Sequence, residues 1–318
     1  MEAKITVHQL HQIVGLISKS YETFDVQKKN GRSSFSALKK ESDLNLNLKK
    51  PIISFKKILL PNGVNVNDLK DRKIAFIGLA NCDVWALHYF LKEFQGTSLL
   101  PKLKNILVVS AECIPDQNCF CNLMRTNKTA PFDLHIQEVK GNYEIFSQSE
   151  KGSSFLQKAG VAPSKTKLKI NQIDGTKSWP LEDISKIIDD RTGNEKFWSA
   201  TSNSCFGCGA CVAVCPLCFC TRQEFRNDLD GKTSQCLKWD ACFAKRFSEI
   251  QNHHDLRPQN VDRLYNWYHH KFVRANYEKD RFLCTGCGRC IEACPANLNM
   301  KNIIETLIKL NSPKDEKR

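Results

Sequence analysis

The sequence contains no apolar stretch long enough to cross a membrane as a helix, so no membrane span is expected. Its first residues, Met1-Glu-Ala-Lys-Ile-Thr-Val-His8, lack the basic segment and long apolar run of a secretory signal. Also missing are a Gly-x-Gly-x-x-Gly fingerprint, a P-loop and any arrangement with Ser-His-Asp logic. Neither a nicotinamide nor a nucleotide therefore has an evident seat in this chain. Acidic residues are in deficit: 34 Asp and Glu face 47 Lys and Arg, for a formal net charge of +13. A nucleic-acid binder would concentrate such an excess in a basic motif interleaved with aromatics. Here it is scattered as single pairs, Lys28-Lys29, Lys39-Lys40, Lys49-Lys50 and Lys56-Lys57. The pairs read as solvated faces or contacts with acidic subunits, and no nucleic-acid partner is expected.

What the sequence does have is cysteine, 16 in 318 residues. In a chain of this length with no signal sequence, clustered thiols point to metal and to a reducing cytoplasm rather than to disulfides. Two runs share one spacing, C-x2-C-x2-C-x3-C-P: Cys205, Cys208, Cys211, Cys215 and Pro216, then Cys284, Cys287, Cys290, Cys294 and Pro295. That is the run that ligates 4Fe-4S cubes. Three closely spaced thiolates reach three irons of one cube, with glycines allowing the backbone to approach the sulfides. The fourth cysteine lies beyond a short helical step and serves the other cube. Cluster one is thus assigned to Cys205, Cys208, Cys211 and Cys294, and cluster two to Cys284, Cys287, Cys290 and Cys215. A pair of zinc sites is the structural alternative, but zinc modules usually pair two C-x2-C knuckles across a longer gap. Eight ligating thiolates and two oxidised cubes would bring the charge to about +9.

In chain order, Ile5, Leu10, Ile13, Val14 and Ile17 predict a short amphipathic helix, with His8 and His11 as surface residues, and Asp25 to Lys50 reads as a polar connector. The segment 73–78 reads as a strand ending in glycine, followed by a helix through Val84, Leu87, Phe90, Leu91 and Phe94. Ile106 to Ser110 reads as a second buried strand. In open α/β sheets, sites form in the loops beyond the carboxyl ends of strands, and Cys82, Cys113, Cys119 and Cys121 fall in or just after such loops. Residues 134–139 and 143–146 alternate as a hairpin across Lys140-Gly141-Asn142. Residues 150–178 look irregular, and a helix is expected from Pro180 through Ile188. Between the two runs lie 68 residues, Pro216 to Leu283, which end in an aromatic helix with Leu264, Trp267, Tyr268, His269, His270 and Phe272; its aromatics are expected to shield a cluster from water. A closing helix carries Ile303, Ile304, Leu307, Ile308 and Leu310, and a charged tail follows. The expected fold is α+β: 1–50 an N-terminal helix and connector, 51–198 an α/β domain, 199–300 a two-cluster ferredoxin-like domain with a long helical insert, and 301–318 a closing helix and tail.

Eight cysteines remain. Cys82, Cys113, Cys119 and Cys121 are enough for a third cube, weighed against buried, redox-inert thiols. Cys218, Cys220, Cys236 and Cys242 in the insert form a competing set, weighed against thiols that merely line a cube.

Together these pieces resemble the iron-sulfur beta subunits of cytoplasmic sulfhydrogenases, the NAD(P)-linked nickel-iron hydrogenases, and the related A subunit of anaerobic sulfite reductases. The resemblance runs from about residue 73 to 300. It rests on Cys82-Asp83 after a strand, Cys113 with Cys119-Phe-Cys121, the run Cys215-Pro-Leu-Cys218-Phe-Cys220, Trp239-Asp-Ala-Cys242, and Arg257-Pro258. It implies a subunit of an anaerobic oxidoreductase complex without its own catalytic centre. Such a subunit relays electrons between a flavin subunit that handles NAD(P)H and a hydrogenase or sulfite reductase catalytic subunit. A free-standing iron-sulfur redox sensor is the reading from another class.

Overall fold

The computed structural model describes residues 1–312 apart from 30, 31, 45, 47–49, 66, 67, 70, 98, 99, 102, 166, 172–174, 176, 228 and 280. The charged tail beyond 312, and Lys49 of one lysine pair, lie outside the described residues.

The N-terminal half is built on a seven-stranded mixed sheet. Its elements in chain order are β1 (Glu2–Ile5), α1 (Val7–Ser18), β2 (Glu22–Lys29), β3 (Arg32–Ala37), α2 (Lys56–Leu59), the short β4 (Val64–Asn65), β5 (Ile74–Leu79), α3 (Asn81–Glu93), β6 (Ile106–Ala111), β7 (Leu134–Val139), β8 (Asn142–Ser147) and α4 (Glu150–Lys158). Across the sheet the strands run β1-β8-β7-β6-β5-β2-β3, with β2, β5, β6 and β7 parallel at its centre and antiparallel partners at both edges. All six residues of β5 and of β6 are buried, as central parallel strands covered on both faces require. Side chains alternate between the faces. Ile74 and Phe76 pack with Val84, Leu87 and Phe90 of α3, whereas Ala75 and Ile77 pack with Leu10, Ile13 and Ile17 of α1. Helix α1 starts in a reciprocal cap, Gln9 N donating to Thr6 Oγ1 (3.3 Å) and Thr6 N to Gln9 Oε1 (3.0 Å). The β7–β8 hairpin turns at Lys140 and Gly141, both at positive φ, the conformation that a two-residue turn needs.

Three stretches differ from expectation. Residues 25–50, read as a connector, contribute β2 and β3 to the sheet. Their few apolar residues, Phe24, Val26 and Phe35, suffice because the hairpin caps a sheet edge against Phe76. Polar Asp25 is buried there by accepting hydrogen bonds from Gln27 Nε2. Residues 150–158, read as irregular, form α4, capped by Ser149 and carrying Phe155 and Leu156 into the core. The insert is helical only in its second half.

The C-terminal half comprises α5 (Leu181–Asp189), α6 (Glu195–Asn203), α7 (Ala210–Val214), the ribbon β9 (Thr221–Asn227) and β10 (Thr233–Trp239), α8 (Asn260–His269), a π-helical turn His270–Arg274 leading to α9 (Ala275–Lys279), α10 (Arg289–Glu292) and α11 (Met300–Asn311). Strand β10 also pairs with β4, tying the insert to the N-terminal half. One apolar core joins Ile184 and Ile188 of α5, Trp198 of α6, Leu264, Trp267 and Tyr268 of α8, and Ile304 and Leu307 of α11. The architecture is α+β. No helix of the described residues is long and apolar enough to cross a membrane.

Candidate iron-sulfur centre

The two cysteine runs fold alike. In each, a glycine-rich turn carries the first three cysteines and leads into a short helix, α7 or α10. Gly207 and Gly209 in the first turn, and Gly286 and Gly288 in the second, all have φ between 64° and 74°, a left-handed conformation that glycine adopts without penalty. That conformation turns backbone donors towards sulfur: Gly207 N donates to Cys205 Sγ and Gly286 N to Cys284 Sγ, each at 3.4 Å. Leu298 N likewise donates to Cys294 Sγ at 3.3 Å.

The cavities beside the two turns divide the thiols between them. Cys205, Cys208, Cys211 and Cys294 line one cavity, walled by Trp267 and Tyr268. Cys215, Cys284, Cys287 and Cys290 line another, beside Lys271 and Arg289. Cys290 reaches the walls of both, so the two sets are neighbours. The aromatic helix expected in the insert is α8, and its buried Trp267 and Tyr268 cover the first set.

Burial pushes the thiols up, to about 12 for Cys211 and for Cys284. Left alone, such thiols stay neutral; a bound iron-sulfur group makes thiolates of them. The surroundings fit an anion. The π-helical turn projects Lys271 inward, where its Nζ donates to Cys215 Sγ (3.2 Å) and Leu283 O (3.0 Å). Burial pulls this ammonium down, but the Cys215 and Cys218 thiolates more than offset it, so it stays charged. Among the described residues no three His, Cys, Asp or Glu side chains gather tightly enough for a single metal ion.

The third set converges too. Cys82 opens α3 after β5, Cys113 follows β6, and the β6–β7 crossover, with no regular helix of its own, carries Cys119 and Cys121. Cys113 lies within electrostatic reach of Cys82, Cys119 and Cys121, and Cys82 and Cys121 of Cys287. Burial pushes Cys113 up to about 12 and Cys121 to about 11. The crossover loop packs directly on the second run: Phe120 N donates to Gly286 O (2.8 Å) and Thr126 Oγ1 to Thr285 O (2.7 Å). A Cβ on Gly286 would lie 2.5 Å from Phe120 O, and one on Gly288 would strike Asn118. Fully buried Arg289 spans the junction, its Nη2 donating to Asp83 Oδ2 (2.7 Å) and its Nε to Pro51 O (2.6 Å). Arg289 Nη1 and Asp83 Oδ1 are left without partners, and the Arg289 side chain lies near Cys82 and Cys287. An unpaired buried guanidinium donor suits an anionic guest. Lys50 ion-pairs with Asp116 and donates to Cys119 Sγ at 3.4 Å.

The insert set is only partly gathered. Cys218 and Cys220 line one cavity with Cys242 in contact behind Cys220, but Cys236 does not join them. On β10 it neighbours Leu237, which packs into the sheet core, so Cys236 faces the other side of the strand.

Sequence reading missed the buried cations. Lys56 was counted among solvated pairs, yet it is buried and donates to Val212 O and Cys218 O. The Lys50 side chain is likewise buried. Arg289, inside the second run, gave no local sign that it would meet Asp83.

Residues 204–298 match the family model of the 4Fe-4S dicluster domain. The chain is also 25% identical over 252 residues to sulfhydrogenase 2 subunit beta of Pyrococcus furiosus, an alignment covering 74% of each chain. These matches and the paired cysteine turns support an iron-sulfur electron-transfer subunit carrying 4Fe-4S clusters. The resemblance read from the cysteine motifs agrees with these matches: the chain is similar to a sulfhydrogenase beta subunit and carries a 4Fe-4S dicluster domain.

Proposed function

We propose that this chain relays electrons between a flavin subunit that handles NAD(P)H and the catalytic subunit of a nickel-iron hydrogenase. Three 4Fe-4S clusters would lie along the relay: one on Cys205, Cys208, Cys211 and Cys294, one on Cys284, Cys287, Cys290 and Cys215, and one on Cys82, Cys113, Cys119 and Cys121. The clusters supply one-electron storage with little change of geometry. The protein supplies position, dryness and charge. Trp267 and Tyr268 exclude water from the first thiol set, Lys271 places a positive charge on the second, and Arg289 places another between the second and third. Cys208 is the one exposed cysteine of the sixteen, beside Phe206 at 71% exposure, which makes that turn the outer terminal of the path. The observation that carries the reading is the contact of the 118–121 loop with Gly286 and Gly288. It packs the loop that carries Cys119 and Cys121 against the second run, which supports a continuous path.

Anaerobically purified protein should contain at least about twelve irons per chain with matching sulfide. Cys119→Ala should remove about four of them. Unchanged iron would dismiss Cys119 as a necessary ligand. In the assembled complex, Cys208→Ser should depress NAD(P)H-linked turnover while leaving the catalytic subunit's reaction with an artificial dye intact; full turnover would refute the relay.

A further inference from the structure

The cavity beside Cys218 and Cys220 measures about 290 Å3 and lies against the turn that bears Cys208 and Gly209. The Cys242 thiol is in hydrogen-bonding contact with that of Cys220; Cys218 and Cys242 are buried and Cys220 is half-buried. Two ammonium groups are buried beside them, those of Lys56 and Lys271, each 3% exposed. Lys56 Nζ donates to Cys218 O at 2.8 Å and stands 4.7 Å from the centre of the Trp239 ring; Lys271 Nζ donates to Cys215 Sγ. Neither cation has a carboxylate partner among the described residues. Burying an unpaired ammonium costs several kcal/mol, so lasting negative charge belongs close by. Cys215 and Cys218 supply that charge at Lys271. Burial pulls the Lys56 ammonium down, and Cys218, Cys215 and Cys220 oppose the pull, so two of the three thiols that hold its charge belong to the insert.

We propose that Cys218, Cys220 and Cys242 hold a further 4Fe-4S cluster through three thiolates, leaving one iron open to a small thiol or anion from the cavity. The inference rests on the iron-sulfur reading of the chain but adds a site outside the relay. Cys236, on the far side of β10, takes no part. The Asp240 carboxylate lines the same cavity and controls what reaches the open iron.

The test uses the anaerobically purified full chain. A cube with one iron not held by cysteine loses it readily: mild ferricyanide takes one electron, ferrous iron departs, and a three-iron cluster with its own EPR signal remains. Wild-type protein should give that signal and hold about four more irons per chain than Cys242→Ala or Cys220→Ser, with Cys236→Ala matching wild type. Iron unchanged in both site variants, or no three-iron signal from wild type, overturns the proposal, as does a Cys220–Cys242 disulfide in the as-purified protein. Should Cys242→Ala fail to fold, Cys220→Ser and the wild-type spectrum still decide. The two readings fail separately: the site variants should keep the reduced spectra of the ferredoxin-type pair, whereas wild-type protein with no iron at all would sink the relay itself.

Discussion

At the scale of single residues, two glycines in the same left-handed region have different work to do. Gly141 has φ 78° in the β7–β8 turn with nothing within 4 Å of a would-be Cβ, whereas Gly286 has φ 64° and the Phe120–Cys121 backbone in the way. Gly141→Ala should cost about 1–2 kcal/mol, the price of a left-handed alanine. Gly286→Ala should cost about 2–4 kcal/mol, because overlap adds to conformation. Chemical unfolding measures both, and iron content should fall only for Gly286→Ala. Burial also creates a pH dependence. His135 stacks between Phe132 and Phe146, shares a hydrogen bond with Ser110 Oγ, and is pushed from 6.5 down to about 4 by desolvation. The unfolded chain therefore takes up the proton first as pH falls. The histidine's contribution is full above its unfolded value and is lost as pH drops through the folded one, a swing of about 3 kcal/mol. His135→Phe should flatten the stability profile over that window, and an unchanged slope would show that other groups set it. The dicluster domain was legible in the sequence because the spacing of its two cysteine runs is local. Lys56 and His135 were not, because only tertiary packing buries them.

At the scale of elements, the helix running from Asn260 to Lys279 shows how a local irregularity serves the site. Its central π turn, His270–Arg274, lets Lys271 and Phe272 point into the core beside Cys215 and Leu283. The aromatic pattern of α8 announced a buried helix, but nothing in the sequence announced the π turn, which packing imposes. The same limit explains β2 and β3: their polar alternation reads as a connector until Phe76 supplies a surface for Phe24 and Phe35. Lys271→Met keeps the length of the side chain and removes its charge. A donor of this kind stabilises the reduced, more negative cluster, so its loss should lower the potential of the cluster that Cys215 serves. The drop should be about 50–100 mV, from a charged hydrogen bond of about 1–2 kcal/mol. Potentiometric titration followed by EPR reads it, and an unmoved potential would relegate Lys271 to packing.

At the scale of the whole molecule, the two runs lie far apart in sequence yet complete each other. Cys215 ends the first run but sits with Cys284, Cys287 and Cys290, and Cys294 ends the second but sits with Cys205, Cys208 and Cys211. The spacing leads to the same grouping, because the three residues before each fourth cysteine carry it out of its own turn. The contact of the N-terminal crossover loop with the second run was not legible there, since glycine gives no hint of which backbone will approach it. The crossing has a consequence that local reading would invert. Cys215→Ser should weaken the cluster nearer the second run and spare that of Cys205, Cys208 and Cys211, and Cys294→Ser should do the reverse. With both clusters in place, reduced wild-type protein should show EPR signals broadened by their mutual coupling. Each variant should give a simplified spectrum from a different surviving cluster, with about four fewer irons at most. If Cys215→Ser instead costs the cluster of its own turn, the thiols are not crossed, and the two halves of the dicluster domain would each have to close their own site.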